Sequence, residues 1–436
     1  MLVPVIICCI TCVLMICSIL FFPKLKLGKV SLDTYWLITI LGAVCALIFG
    51  GADIAKVGQA LIADTAINPL KILVLFLSMT ILSIFLDELG FFRYLANVTL
   101  KRAKTGQKKL FLYLYLTVSV LTVFTSNDII ILSFTPFICY FAKNAKINPI
   151  PYLAAEFVAA NTWSMALIIG NPTNIYLATA SGIGFLEYIK YSIFPTLFGG
   201  AVAFGALFLL FRKKLSEPMQ ADVEDVVIED KVLLWVGIVH LAVCTVLLAI
   251  SSYVGLEMWI VALSACGSLL VCTGIISLIR KQKPVALIGC LKRAPYQLIP
   301  FVISMFVMIV VLADAGVTQI IANAMGSSLP ILKYGVASFF ASNLINNIPM
   351  SVLFSSIIEA SGGAAGIPAI FATVIGSNVG AFFTPIGALA GIMWGSIISK
   401  HDTKFGYVDF LKIGVTVALP TLLAALGGLW LAVSIF

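Results

Sequence analysis

Apolar stretches long enough to span a bilayer recur from Leu2 to the C-terminus of this 436-residue chain, with only short polar gaps between them. A helix needs roughly 20 apolar residues to cross the ~30 Å hydrocarbon layer. Hydrophobic residues make up 61% of the chain and charged residues 11%, against about 45–50% and 25% in soluble domains. The mean hydropathy of +1.12 over the whole length leaves no window for an independent water-soluble domain. The expected fold class is therefore an all-α polytopic membrane protein, and most enzyme classes are excluded at once.

Uninterrupted spans are expected at residues 2–22, 34–50, 70–86, 191–211, 232–250, 256–279, 298–313 and 410–433. Four further apolar segments carry polar breaks. Segment 110–142 breaks at Ser126, Asn127 and Asp128, and segment 152–182 at Gly170, Asn171, Pro172, Thr173 and Asn174. Segment 331–360 breaks across residues 343–349, which include Asn343, Asn346, Asn347 and Pro349. Segment 368–399 breaks at Gly376, Ser377 and Asn378, and again from Thr384 through Pro385 and Ile386 to Gly387. The first segment is apolar from Leu2 to Phe22, without a basic leader region or an Ala-x-Ala cleavage site, so it reads as a retained span.

Segments 110–142 and 331–360 fit either kinked crossing helices or re-entrant hairpins. The arms 110–126 and 129–142 reach roughly 25 and 21 Å at 1.5 Å per residue, which favours hairpins only mildly. Charge decides between the two. With both segments turning back and both termini outside, the clusters at Lys24, Lys26 and Lys29, at 93–109, at Lys143 and Lys146, at 212–231, at 280–293 and at Lys400, Lys404 and Lys412 face the cytoplasm. Only Lys56, Lys71, Lys190 and Lys333 of the 27 basic residues then lie outside. Crossing segments would spread the charges almost evenly, so the positive-inside rule selects hairpins. The formal charge of +8 is thus loop charge that sets topology, and no nucleic-acid partner is expected.

This topology implies two inverted repeats. Residues 1–211 form the first, with hairpin 110–142 and broken helix 152–182. Residues 212–231 form a cytoplasmic linker that holds Asp222, Glu224 and Asp225. Residues 232–436 form the second repeat, with hairpin 331–360 and broken helix 368–399. Each hairpin is preceded by a similar stretch, Asp87 to Gly90 and Asp314 to Gly316.

Irregular backbone survives in hydrocarbon only where it is buried in protein or lines a cavity. Four breaks in matching order imply a polar site near the midplane, with half-helix N-termini offering free N–H groups to an anion. Asn127 or Asp128, Asn171 before Pro172, and Thr384 before Pro385 carry helix-start chemistry. The expected substrate-binding set is Ser126, Asn127, Asn171, Thr173, Asn174, Asn346, Asn347, Ser377, Asn378 and Thr384. Asp128, placed as the only deep carboxylate, is the expected ion-coupling residue; the alternative is a helix cap that never titrates. Glu156, Asp87 and Glu88 read as interfacial, His240 as a satisfied packing residue, and Glu359 and Asp314 stay unassigned. The ten cysteines lie almost all in apolar segments without metal-type spacing, so neither disulfides, a metal nor any cofactor is expected.

The chain resembles the ion transporter superfamily, and within it the arsenical pump permeases and citrate-transporter-like permeases. The resemblance is carried by residues 85–92 (FLDELGFF), by Ser126, Asn127 and Asp128 followed by Thr135 and Pro136, by residues 343–349, and by Ile375 to Gly380 with Thr384 to Ala390. It implies an elevator-type fold in which the hairpins and broken helices move against a scaffold. It also implies export of arsenite or antimonite in exchange for protons. The chain departs from arsenical permeases at Asn378, where they carry an acid, and at Ala381 and Phe382, where they carry Pro-Lys. Proton- or sodium-coupled di- or tricarboxylate transport and sodium/proton exchange therefore stay open. A membrane enzyme is disfavoured: one deep Asp and two His build neither an aspartyl pair nor a Ser/His unit. No nucleotide-binding Gly-x-x-x-x-Gly-Lys motif is present, while a separate ATPase subunit and a homodimer stay open as partners. The expected location is a plasma or inner cell membrane.

Overall fold

The computed structural model describes residues 2–27, 30–63, 68–103, 106–219, 226–363, 365–401, 403 and 405–436. Lys29, Lys104 and Lys404 of the basic clusters, and Asp222, Glu224 and Asp225 of the linker, lie outside the described residues. The first half opens with α1 (Leu2–Phe21), a short antiparallel pair of strands, β1 (Lys24–Leu27) and β2 (Val30–Asp33), then α2 (Thr34–Phe49), α3 (Ile54–Ile62), α4 (Pro69–Glu88) and α5 (Phe91–Ala103). The first hairpin is α6 (Gln107–Phe124) and α7 (Asn127–Asn144). The first broken helix is α8 (Ile150–Trp163), two 3-10 turns at Ser164–Ala166 and Ile168–Gly170, and α9 (Pro172–Ala180). It is followed by α10 (Phe185–Phe211).

The second half repeats that order. It runs α11 (Lys231–Val254), α12 (Met258–Ile279), α13 (Val285–Arg293), α14 (Leu298–Asp314), α15 (Val317–Met325), the hairpin α16 (Pro330–Ile345) and α17 (Asn347–Ala360), the broken helix α18 (Gly366–Gly380) and α19 (Leu389–Lys400), and α20 (Tyr407–Ile435). Equivalent helices have similar lengths: α3 and α13 are 9 residues each, and α10 and α20 are 27 and 29. Among the described residues seven helices are long and apolar enough to cross a bilayer. The short helices α3, α5, α13 and α15 did not stand out in the sequence, because each mixes polar and apolar residues over fewer than four turns.

Burial separates an inner layer from a lipid-facing one. Along its apolar stretch α4 is 78% buried and α11 only 22%. Helix α4 begins cleanly, since Asn68 accepts a hydrogen bond from Leu70 N at 2.8 Å and Pro69 occupies the first turn. The halves interlock reciprocally: α9 packs on α17 and α18, and α19 packs on α7. The long helices α10 and α20 run against each other, α2 packs on α14, and α4 packs on α12. The ten cysteines are unbridged, and Cys9, Cys17 and Cys45 are exposed.

One expected break is absent. Gly376, Ser377 and Asn378 are helical, inside the continuous helix α18. Glycine is needed there for packing: a Cβ at Gly376 would collide with the Ser338 hydroxyl and the Gly335 carbonyl of α16. The real break follows, from Ala381 to Ala388.

Candidate functional site

At the centre, Asn378 joins the two halves with both ends of its amide. Its Nδ2 donates to Asn174 Oδ1 at 2.7 Å and to Val374 O at 2.8 Å, and its Oδ1 accepts from Asn171 Nδ2 at 3.0 Å. The Ser164 hydroxyl lies 2.9 Å from the same Oδ1 and 2.7 Å from Asn161 O, and donates to one or the other. Beside it, Ser377 donates to Thr173 Oγ1 at 2.9 Å, and Thr173 Oγ1 donates to Asn171 Oδ1 at 3.0 Å. Asn174 closes the turn by donating to Ser164 O at 2.8 Å. The sequence-selected residues Asn171, Thr173, Asn174, Ser377 and Asn378 thus form one buried network of neutral amides and hydroxyls. The network forms here because Asn171 caps α9, accepting from Thr173 N at 3.1 Å, with Pro172 in the first turn.

The second hairpin tip is stitched to the break that follows α18. Asn343 Oδ1 accepts from Thr384 N at 3.1 Å and Thr384 Oγ1 at 2.6 Å, while its Nδ2 donates to Phe339 O at 2.9 Å and Gly380 O at 3.1 Å. Asn347 N donates to Gly387 O at 3.0 Å, and Asn346 Nδ2 to Ile386 O at 3.3 Å. Asn346 adopts φ +71° and ψ 152°, a region close to glycine's alone. Thr384 does not start a helix as its sequence pattern implies. Its hydroxyl is held by Asn343, and α19 begins at Leu389.

The first hairpin tip is bonded more loosely. Ser126 is the N-cap of α7, where the sequence favoured Asn127 or Asp128, and its side chain makes no capping bond. Asn127 Nδ2 donates to Asn161 Oδ1 at 3.0 Å. Ser126 Oγ, Asn127 Oδ1 and Thr162 Oγ1 are buried with no hydrogen-bond partner among the described residues. Asp128 is half-buried and lines a cavity of about 170 Å³ bounded by α1, α4, α7, α14 and α19. Arg293, Asp33, Tyr35, Thr80 and Gln297 also reach this cavity. Helix N-termini of α7, α9 and α17 sit at these breaks and contribute partial positive charge.

Charged groups at the helix ends pair with one another. Arg293 bridges Asp87 and Glu88 at 2.6 Å each, and Lys56 meets Asp314 at 3.0 Å. His240 is satisfied within its own layer, by Val236 O at 2.7 Å and Ser268 Oγ at 3.1 Å. Glu156 departs from its interfacial expectation: it is 0% exposed, held by Thr135 and Trp394. Position near a helix end says nothing of the neighbours, and here α7 and α19 cover the side chain. Asn161, Ser164 and Asn343 belong to the site but were not selected from the sequence. The polar run Asn161, Thr162, Trp163, Ser164 inside an otherwise apolar segment was the signal.

The chain is similar to known membrane transporters over nearly its whole length. The profile of the citrate transporter family matches residues 34–376. The arsenical pump membrane protein of Escherichia coli K12 is 27% identical over 421 residues, covering 90% of this chain and 92% of the relative. That of Yersinia enterocolitica is 26% identical, covering 83% and 86%. The crystal structure of the Alcanivorax borkumensis YdaH transporter superposes with a TM-score of 0.58 at 14% identity, covering 99% of each chain. At that identity the likeness is one of fold.

Proposed function

The chain belongs to the citrate transporter family, and from that premise we propose that this membrane transporter is a secondary carrier of a small anion or its neutral acid, exporting arsenite or antimonite in exchange for protons. The observation that carries the reading is Asp128: a carboxylate at a hairpin tip, facing a cavity, with no protein hydrogen bond among the described residues. An intramembrane carboxylate so placed takes up and releases a coupling ion as the site changes sides. The central network suits the cargo. Arsenite dissolves as a neutral acid with three hydroxyls, and the amides of Asn171, Asn174 and Asn378 and the hydroxyls of Ser164, Thr173 and Ser377 exchange their mutual bonds for bonds to it. Ser126, Asn127, Asn346, Asn347 and Thr384 complete the two flanking tips.

In this reading residues 1–211 and 232–436 are inverted repeats joined by the cytoplasmic linker 212–231, with both termini outside. The repeated helix order and the reciprocal packing of α9 on α17 and α19 on α7 support it. The hairpins and broken helices move against the remaining helices. Coupling to a sodium ion, a separate ATPase subunit and a homodimer belong to the same proposal as its open variants.

The second reading, a coupled di- or tricarboxylate carrier, is favoured by the family profile itself. Against it stands the neutral character of the network, since carboxylates are ordinarily clamped by Arg or Lys. Uptake of labelled arsenite and labelled citrate by everted membrane vesicles, under an imposed proton gradient and with or without sodium, separates the two. Gradient-driven arsenite uptake without sodium supports the first reading. Citrate uptake in place of arsenite uptake overturns it.

A further inference from the structure

Deep in the protein, Glu156 is a carboxyl group with no access to solvent and, among the described residues, no ion-paired cation. It is 0% exposed, in the middle of α8, about 9 Å from the start of that helix at 1.5 Å per residue. Thr135 of α7 donates to Oε1 at 3.0 Å and lies 3.2 Å from Oε2, and Trp394 Nε1 of α19 donates to Oε2 at 3.2 Å. Both partners are neutral, and no described Lys, Arg or His forms an ion pair with it. Apolar rings close the site: Phe157 lies 4.9 Å from the Trp394 ring and 5.6 Å from that of Phe410.

A bare carboxylate in such surroundings costs far more than two neutral hydrogen bonds return, so the group is neutral by holding a proton. The titratable groups around it do not change this. From α7 the nearest is the buried Cys139 thiol, neutral when protonated; on α8 the Tyr152 phenol, one turn before Glu156, is buried and donates to Gln107 Oε1 at 2.7 Å. Lys400 and His401 at the end of α19, and Asp409 and Lys412 on α20, are exposed at the helix ends. Glu156 also sits where motion must be felt. Its partners come from the first hairpin and from the second half's broken helix, so any shift of α7 against α19 opens the carboxyl group to water.

We propose that Glu156 is a second proton-binding site of the transporter, separate from Asp128, which holds a proton in the closed conformation and exchanges it with water when α7 and α19 part. In the exchange the carboxyl O–H bond breaks, its electron pair stays on the carboxylate, and the proton passes to water. The coupling role rests on the proposed transport function, whereas proton occupancy does not.

The test is infrared difference spectroscopy of the full-length protein in lipid, wild type against Glu156→Gln, in H2O and D2O. The amide of Gln keeps an acceptor for Thr135 and Trp394 while carrying no exchangeable acid proton. The expected result is a protonated-carboxyl C=O band that the substitution removes and that shifts in D2O. No such band, or a band that never shifts, overturns the proposal. If Glu156→Gln fails to reach the membrane, Thr135→Val and Trp394→Phe each strip one donor and are expected to move the band, and an unmoved band contradicts the assignment. Vesicle transport with labelled arsenite and labelled citrate then reads coupling. Loss of gradient-driven uptake with retained arsenite/arsenite or citrate/citrate exchange supports the site, while wild-type pH dependence in Glu156→Gln reduces it to a structural acid. Should wild-type protein move neither probe, the transport reading fails while the infrared result still stands on its own.

Discussion

At the tip of the first hairpin, Asn127 makes a single side-chain hydrogen bond, to Asn161, and its Oδ1 and the Ser126 Oγ are buried with no partner among the described residues. At the tip of the second, Asn343 binds Thr384 twice and also Gly380 and Phe339, and Asn346 is held in a strained conformation by bonds to the same break. The two tips are built from similar residues in equivalent places. Each is bonded to the broken helix of its own half, and what differs is the number of bonds. The second makes several to the break after α18, whereas the first makes one side-chain bond, to Asn161, and carries a carboxylate that faces a cavity. In the proposed transport cycle the first tip is therefore the part expected to change and the second the part expected to stay fixed.

Substitution of Asn343 by Ala is the largest expected perturbation. It leaves the Thr384 N–H and hydroxyl unpaired in a buried site, at about 3 kcal/mol in all, read as lost thermal stability of the purified protein. Asn127→Ala removes one bond together with one unsatisfied oxygen, so its expected cost is about 1 kcal/mol or less. Equal costs at the two positions would erase the contrast. Hydrogen exchange sharpens it without mutation. Backbone amides of residues 124–130 are expected to exchange roughly ten times faster than those of 343–349, the factor set by about 1.4 kcal/mol of local opening free energy. Faster exchange at the second tip would reverse the assignment. The smallest effect is expected of Asn346→Gly, where relief of the positive φ offsets two weak bonds of 3.3 Å and stability stays within about 0.5 kcal/mol. A loss of several times that would show that the amide, not the backbone, holds the tip.

The architecture was largely legible in the chain because its determinants are local. Apolar length marked the spans, and the polar stretches at Ser126 to Asp128 and at 343–349 are where one helix ends and the next begins. Asn171 with Pro172 announced the start of α9 correctly. What was not legible depended on partners distant in sequence. Gly376, Ser377 and Asn378 read as a turn, yet the glycine serves the close approach of α16, and the amide of Asn378 reaches Asn171 and Asn174, more than 200 positions away. Thr384 read as a cap until Asn343 claimed its hydroxyl. Glu156 read as interfacial because two covering helices, α7 and α19, are invisible from its own segment.

The central claim is that Asp128 at the loosely bonded tip couples ion movement to cargo movement. Arsenite accumulation by everted vesicles under a proton gradient, compared with arsenite/arsenite exchange in the same vesicles, measures this in wild type and in Asp128→Asn. The account predicts that the variant, present in the membrane at wild-type amount, retains exchange and loses accumulation. Accumulation at the wild-type level in Asp128→Asn would contradict it, leaving Asp128 a helix-start residue and moving the coupling elsewhere.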